Sequence, residues 1–224
     1  MENRIRIFTG HFGSGKTEIA INYALKLNNE GKKVCIADLD IVNPYFCTRD
    51  EEKFLNDKGI RVIATPKDLA NAELGVIPLE TLSVFNDKSY DVVIDVGGDD
   101  KGAIALGQFN RYFREENYDM YFVINTLRPE THDVDSIIEY LYEIEAASRL
   151  KVNYLVSNTN LSYETTVSQI LNGDKIAKEV SKRTGIPIKF TAVREDIASE
   201  IKDHEFKIMP IHIFMMPPWR KFEE

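Results

Sequence analysis

Only two cysteines, Cys35 and Cys47, occur in this chain of 224 residues. That is too few for a disulfide framework and suits a reducing compartment. A metal site shared between two subunits needs only two cysteines from each, but the pair lacks the close C-x-C or C-x-x-C spacing familiar there, and none of the four histidines sits at ligand spacing from either. Cys35 falls in an apolar run and reads as a small buried side chain, so a metal-carrier role stays open only through Cys47, in a loop. Excess positive charge is missing as well. The 28 Lys and Arg against 36 Asp and Glu leave a net charge of −8, which argues against broad binding to nucleic acid or an anionic membrane. No basic amphipathic terminal helix compensates. Neither nucleic acid nor membrane is therefore an expected partner. No apolar stretch approaches the ~20 residues of a membrane span, and Met1 leads straight into charged residues and a strand rather than a signal peptide. The expected location is cytoplasmic.

What remains is ordinary globular composition, 43% hydrophobic and 29% charged, enough for one large domain spanning 1–224. Short, nearly continuous apolar runs recur at Ile5–Phe8, Val34–Ala37, Arg61–Ala64, Val92–Asp95, Met120–Ile124, Val152–Val156 and Ile188–Thr191. Strands buried on both faces read this way. Between them lie helical stripes: Ile19, Ala20, Tyr23, Ala24 and Leu27; Val134, Ile137, Ile138 and Leu141; Val167, Ile170 and Leu171. Gly31 and Gly185 stand where two of those helices should stop. Alternating β and α elements predict an α/β fold, a mostly parallel central sheet with helices on both faces. Pro66–Asn86 reads as a loop with a short helix. The segment 207–224 reads as a C-terminal strap or terminal strand packed on the core, or as a docking tail for a partner, given its methionines, Phe214 and Trp219.

Directly after the first strand stands Gly10-His11-Phe12-Gly13-Ser14-Gly15-Lys16-Thr17, the G-x-x-x-x-G-K-[ST] pattern of a P-loop in the strand-to-helix setting it requires. Its backbone N–H groups would cradle a polyphosphate, Lys16 would reach the terminal phosphates, and Thr17 would offer its hydroxyl to Mg²⁺. Val92-Val93-Ile94-Asp95 ends a strand in an aspartate suited to holding that metal, and Gly97 and Gly98 let the backbone approach the γ-phosphate. The second strand ends Ala37-Asp38-Leu39-Asp40, whose two aspartates point the same way. Asp38 would support the metal and Asp40 would position the attacking water. Lys16, Asp38 and Asp40 are thus the candidate catalytic residues; Thr17, Asp38 and Asp95 are the candidate metal residues.

Together the P-loop, Asp38-x-Asp40 and Asp95-x-x-Gly98 resemble the MinD/ParA-type P-loop ATPases, of the CobQ/CobB/MinD/ParA group in the SIMIBI class. The resemblance covers most of the chain. It implies an ATPase with Mg²⁺ as cofactor, a nucleotide-dependent homodimer and an unidentified partner protein. Asn158 matches the family's adenine-contacting asparagine, and Val193-Arg194 looks like its later loop over the base. Many members carry a second lysine early in the loop; His11 stands there instead. That implies slow turnover, a different dimer, or another cation such as Arg49, whose other reading is a solvated surface residue. Ser157-Asn158-Thr159-Asn160 lacks the aspartate of the guanine-reading N-K-x-D motif, which favours ATP.

Ile41–Phe46, just past Asp40, reads as a switch loop or as aromatic packing by Tyr45 and Phe46. Asn125–Pro129 follows another strand end, and Arg128 there is a candidate for contacting substrate, partner or opposite subunit. Two rival functions share the scaffold: a small-molecule kinase or ATP-dependent ligase of dethiobiotin-synthetase type, with Asn43, Arg49 and Arg128 near the acceptor, and a nucleotide-sensing adaptor with little hydrolysis.

Overall fold

The computed structural model describes residues 2–40, 48–64, 79–98, 100–202 and 204–215. Eight strands form one sheet: β1 Ile5–Thr9, β2 Val34–Leu39, β3 Arg61–Ile63, β4 Asp91–Val96, β5 Tyr118–Ile124, β6 Tyr154–Ser157, β7 Ile188–Arg194 and β8 Ile208–Ile211. Their order is β3-β2-β4-β1-β5-β6-β7-β8, and every neighbouring pair is parallel. Each of the seven apolar runs overlaps a strand, with ends differing by at most three residues. The eighth, Ile208–Ile211, pairs with β7 at the sheet edge. Pro210 is tolerated there because an edge strand does not need its missing N–H on the open side.

The helices are α1 Lys16–Asn29, α2 Glu52–Asp57, α3 Ser83–Asn86, α4 Asp100–Gly107, α5 Asn110–Glu115, α6 Val134–Ser148, α7 Val167–Thr184 and α8 Glu195–Ala198. They cover both faces, because each strand is apolar on both sides. Ile5 and Ile7 of β1 join one core with Ala103 and Leu106 of α4, Ile137 and Leu141 of α6, and Ala177 of α7. Phe8 points the opposite way and joins Ile19, Tyr23 and Leu27 of α1. Gly31 and Gly185 take the left-handed conformation past α1 and α7, at φ 81° and 74°. Leu171 departs from expectation. It is exposed, because the buried stripe of α7 runs through Ile170, Gly173, Asp174, Ala177 and Val180, leaving Leu171 a third of a turn away.

In an open parallel sheet the strand ends at the carboxyl edge gather where the connections diverge, here around β1. The loops after β1, β2, β4, β5 and β6 all emerge at that edge. Switch residues 41–46, Cys47, residues 65–78 and tail residues 216–224, including Trp219, lie outside the described residues; within Pro66–Asn86, a 3₁₀ turn at Leu79–Leu82 and α3 are seen.

Candidate functional site

The P-loop bridges β1 and α1, with Gly15 as the helix N-cap at φ 85° and ψ 24°. It is held from below. Asn158, buried at the end of β6, donates from Nδ2 to Ser14 O at 2.8 Å. Its Oδ1 has no hydrogen-bond partner among the described residues. The asparagine expected to read a base therefore first props the loop. Lys16 is buried to 6% exposure and donates from Nζ to His11 O at 3.2 Å. The His11 ring packs edge-on against Tyr140 of α6, centroids 4.8 Å apart, while Phe12 projects outward at 62% exposure.

The Gly97-Gly98 segment lies against this loop. A methyl group on Gly98 would fall 2.6 Å from Lys16 Nζ and 2.8 Å from Phe12 N, so only glycine fits the approach. Tyr140 Oη donates to Gly98 O at 2.8 Å. A methyl group on Gly97 would come 3.1 Å from Asp40 Oδ1, which locates that carboxylate beside the glycine pair.

Asp38 and Asp95 occupy paired positions of β2 and β4 on the sheet face that α1 covers, and both are buried. Burial raises the pKa of each. The Asp38 and Asp40 charges push Asp95 further up, while the Arg49 guanidinium pulls Asp38 back down. Asp95 Oδ2 accepts from Thr48 Oγ1 at 2.9 Å, and the nearby Thr17 hydroxyl, like the Lys16 charge, draws its pKa part of the way back down. Its other oxygen, Oδ1, is buried with no partner among the described residues. That orphaned oxygen beside Thr17 fits a cation or its water shell. Among the described residues no group of three or more His, Cys, Asp or Glu forms a cage.

Arg49 is not a solvated surface residue. It is 6% exposed, with Nε 3.3 Å from Asp38 Oδ2 and Nη2 donating to Asp40 O at 2.6 Å. The Asp38 carboxylate and the Asp40 backbone carbonyl draw it in, since a buried arginine needs such partners. Asp38 Oδ1 also accepts from Asp40 N at 2.9 Å, so Asp38, Asp40 and Arg49 form one unit.

A cleft of about 790 Å³ opens beside the loop, lined among others by Lys16, Thr17, Asp40, Asn125, Arg128, Asn158, Glu164 and Met215. That volume suits a nucleotide-sized ligand. Val193 and Arg194 do not line it. Val193 is buried in β7, and Arg194 donates to Ser162 O and pairs with Asp196. Unforeseen is the reach of the tail into the site: residues 212–215 meet the cleft through Ile213 and Met215. Glu18, in the first turn of α1, accepts from Phe214 N at 2.7 Å and Met215 N at 3.1 Å. Asn22 exchanges hydrogen bonds with the His212 backbone. An acidic residue one position past the P-loop was the only sequence signal, and first-turn acids are common in helices generally.

The eight-stranded parallel sheet and its flanking helices form a fold shared with solved structures of FtsY. Solved structures with this architecture include FtsY from Mycoplasma mycoides, at TM-score 0.61 and 19% identity over 86% of this chain and 60% of that one. The signal recognition particle receptor FtsY from Elizabethkingia anophelis, in complex with GDP, follows at TM-score 0.57 and 16% identity, over 86% and 58%. The cell division protein FtsY from Thermotoga maritima gives 0.55 and 20%, over 84% and 61%. The chain thus spans about three fifths of the length of these structures. No protein-family model matches the chain, and no curated protein is significantly similar to it in sequence. Among the described residues no helix is long and apolar enough to cross a membrane.

Proposed function

We propose that this chain is a magnesium-dependent, ATP-binding and ATP-hydrolysing switch of the MinD/ParA type, acting on a partner protein as a nucleotide-dependent homodimer. The observation that carries the reading is the convergence of Lys16, Asp40 and the Gly97-Gly98 pair at one strand edge, with Asp38 and Asp95 buried beneath. Lys16 and the N–H groups of Gly13–Thr17 neutralise and orient the phosphates. Thr17 and Asp95, with Asp38 behind them, are the residues that would hold Mg²⁺, which would supply positive charge against the transferring phosphoryl group. Asp40 positions the water. Gly98, held by Tyr140, is the switching element whose backbone can exchange one partner for another.

Adenine is the preferred base, because the loop after β6 lacks a guanine-reading aspartate and Asn158, whose Oδ1 has no partner among the described residues, offers an amide instead. A guanine nucleotide is the second reading. It is favoured by the Glu164 carboxylate in the cleft wall and by the GDP held in the Elizabethkingia structure.

Calorimetry of the purified chain with ATP and GTP, each with Mg²⁺, tests both readings. ATP binding that Lys16→Ala abolishes supports the proposal. So does an Asp40→Ala protein that binds ATP but turns it over at least about a hundredfold more slowly. Tight GTP with negligible ATP binding transfers the proposal to the guanine reading. Absence of heat with either nucleotide overturns it.

A further inference from the structure

Arg128, a candidate in the sequence for contacting substrate, partner or opposite subunit, lies directly against the P-loop. Its Nε donates to Gly13 O at 3.0 Å. A methyl group on Gly13 would lie 3.0 Å from that nitrogen and 3.2 Å from Cζ, so the guanidinium rests on the bare face of the glycine. With Nε spent on the loop, both terminal nitrogens remain available as donors. Among the described residues neither has a hydrogen-bond partner, and no carboxylate lies within 4.0 Å of them. An unpaired arginine is conspicuous in a chain with eight more acids than bases, and this one lines the cleft together with Lys16.

The seat is rigid. Asn125, 1% exposed at the end of β5, donates from Nδ2 to Asn160 O at 2.8 Å and to Gly13 O at 3.3 Å. Its Oδ1 accepts from Leu127 N and Asn160 N, both at 3.1 Å. Thr131 Oγ1 closes the turn on Asn125 O at 2.8 Å. One asparagine thus ties the Arg128 loop to the P-loop and to the loop after β6. The cleft also carries Glu18, Asp40, Glu130 and Glu164, so a single lysine would leave a bound phosphate chain poorly neutralised.

We infer that Arg128 is the second permanent cation of the phosphate site, supplied by the same subunit and locked in place by Asn125 and Gly13. This rests on the phosphate-binding reading of the cleft and deepens it. A polyphosphate lying along Gly13 receives the two terminal guanidinium nitrogens from one side and Lys16 from the other. Arg128 contacts the ligand directly. Asn125 is a positioning residue.

The test titrates the full chain, Arg128→Gln and Arg128→Lys with Mg-ATP and with inorganic tripolyphosphate, and records each unliganded melting temperature. The glutamine variant should weaken both ligands by about tenfold or more, the value of a charge-assisted hydrogen bond. The lysine variant should recover most of that loss, and the unliganded melting temperatures should agree. Glutamine-variant affinities within about twofold of wild type overturn the inference while leaving the nucleotide reading intact. Lysine and glutamine variants equally weakened, with lowered melting temperatures, overturn it in favour of a structural prop. Arg128-dependent tripolyphosphate binding without any nucleotide binding supports the inference and removes the proposed function instead. Binding of neither ligand by wild type overturns both.

Discussion

Asp38 of β2 and Asp95 of β4 are Cα partners across one parallel ladder, both buried, with both carboxyl pKa values raised by that burial. Adjacent carboxylates on one buried face repel each other and lose hydration, so the fold tolerates them only with cations or donors at hand. Arg49 serves Asp38, and Thr48 serves Asp95. The orphaned Asp95 Oδ1 is the unmet remainder.

Asp95→Asn should therefore stabilise the protein free of nucleotide and metal while abolishing its response to Mg-ATP. The amide keeps an acceptor for Thr48 and adds a donor toward Asp38, turning repulsion into attraction. A gain of about 1–2 kcal/mol near pH 8 is expected. Differential scanning fluorimetry checks it: wild type should rise in melting temperature with Mg-ATP, and the variant should start higher and barely move.

Arg49→Ala should be strongly destabilising, by about 3 kcal/mol or more, because it leaves Asp38 buried beside Asp95 without its counter-charge. Arg49→Lys should recover only part of this loss. A single ammonium cannot hold the Asp38 carboxylate and the Asp40 carbonyl with the spacing of a guanidinium fork. Urea denaturation of the three proteins at pH 7.5 measures it. Lysine restoring full stability would show that charge alone matters at this position.

Arg49 also shows where sequence reading stops. The P-loop, the strand-end aspartates and the parallel sheet are legible because they depend on local spacing: glycines at fixed offsets, apolar runs of strand length, helical stripes between them. A buried arginine depends instead on the Thr48–Glu51 turn lying against the end of β2, and nothing in Thr48-Arg49-Asp50 encodes that. Tyr140 is hidden for the same reason, since its hydroxyl reaches Gly98 from a helix 42 positions away. Asn158 was legible as a strand-end amide facing the site. Its direction was not, because the donor to Ser14 exists only once β6 lies two strands from β1. The strap was foreseen as one of two alternatives. Its attachment to Glu18 and Asn22 required knowing that β8 runs parallel to β7 and delivers 212–215 to the first turns of α1.

Glu18 supplies a pH dependence whose sign can be worked out. Burial pushes its carboxyl up to about 7 from the usual 4.5, despite two backbone donors. The folded protein therefore holds a proton there that the unfolded chain has already lost between those two values. Stability attributable to Glu18 is complete below about pH 4.5 and is lost as pH rises through about 7, a total of about 3 kcal/mol. Asp38 and Asp95 contribute in the same direction. Glu18→Gln removes one titrating group while keeping an acceptor for Phe214 and Met215. Its unfolding free energy should fall with pH less steeply than wild type between about pH 5 and 7, by up to about 1.4 kcal/mol per unit. Urea titrations at several pH values, without nucleotide, decide it. Parallel slopes would mean that Glu18 is ionised throughout.

Gly98→Ala tests whether close approach at the P-loop is required for turnover. The added methyl would lie 2.7 Å from Phe12 Cα and 2.8 Å from Phe12 N, backbone atoms that cannot swing aside, as well as 2.6 Å from Lys16 Nζ. Relief demands that the Gly98 segment retreat, which strains the Tyr140 hydrogen bond and separates Lys16 from the switching backbone. A stability loss of about 1–3 kcal/mol is expected from overpacking, with ATP turnover falling by at least about tenfold. ADP affinity should change little, because it is the Gly98 segment that retreats while the P-loop backbone stays in place. Tyr140→Phe separates the two contributions: it removes the hydroxyl bond to Gly98 O without the clash, at a cost of about 1 kcal/mol. Turnover in Tyr140→Phe near wild type, alongside a slow Gly98→Ala, assigns the effect to the contact with the P-loop. Wild-type turnover in Gly98→Ala would separate this glycine from the chemistry altogether.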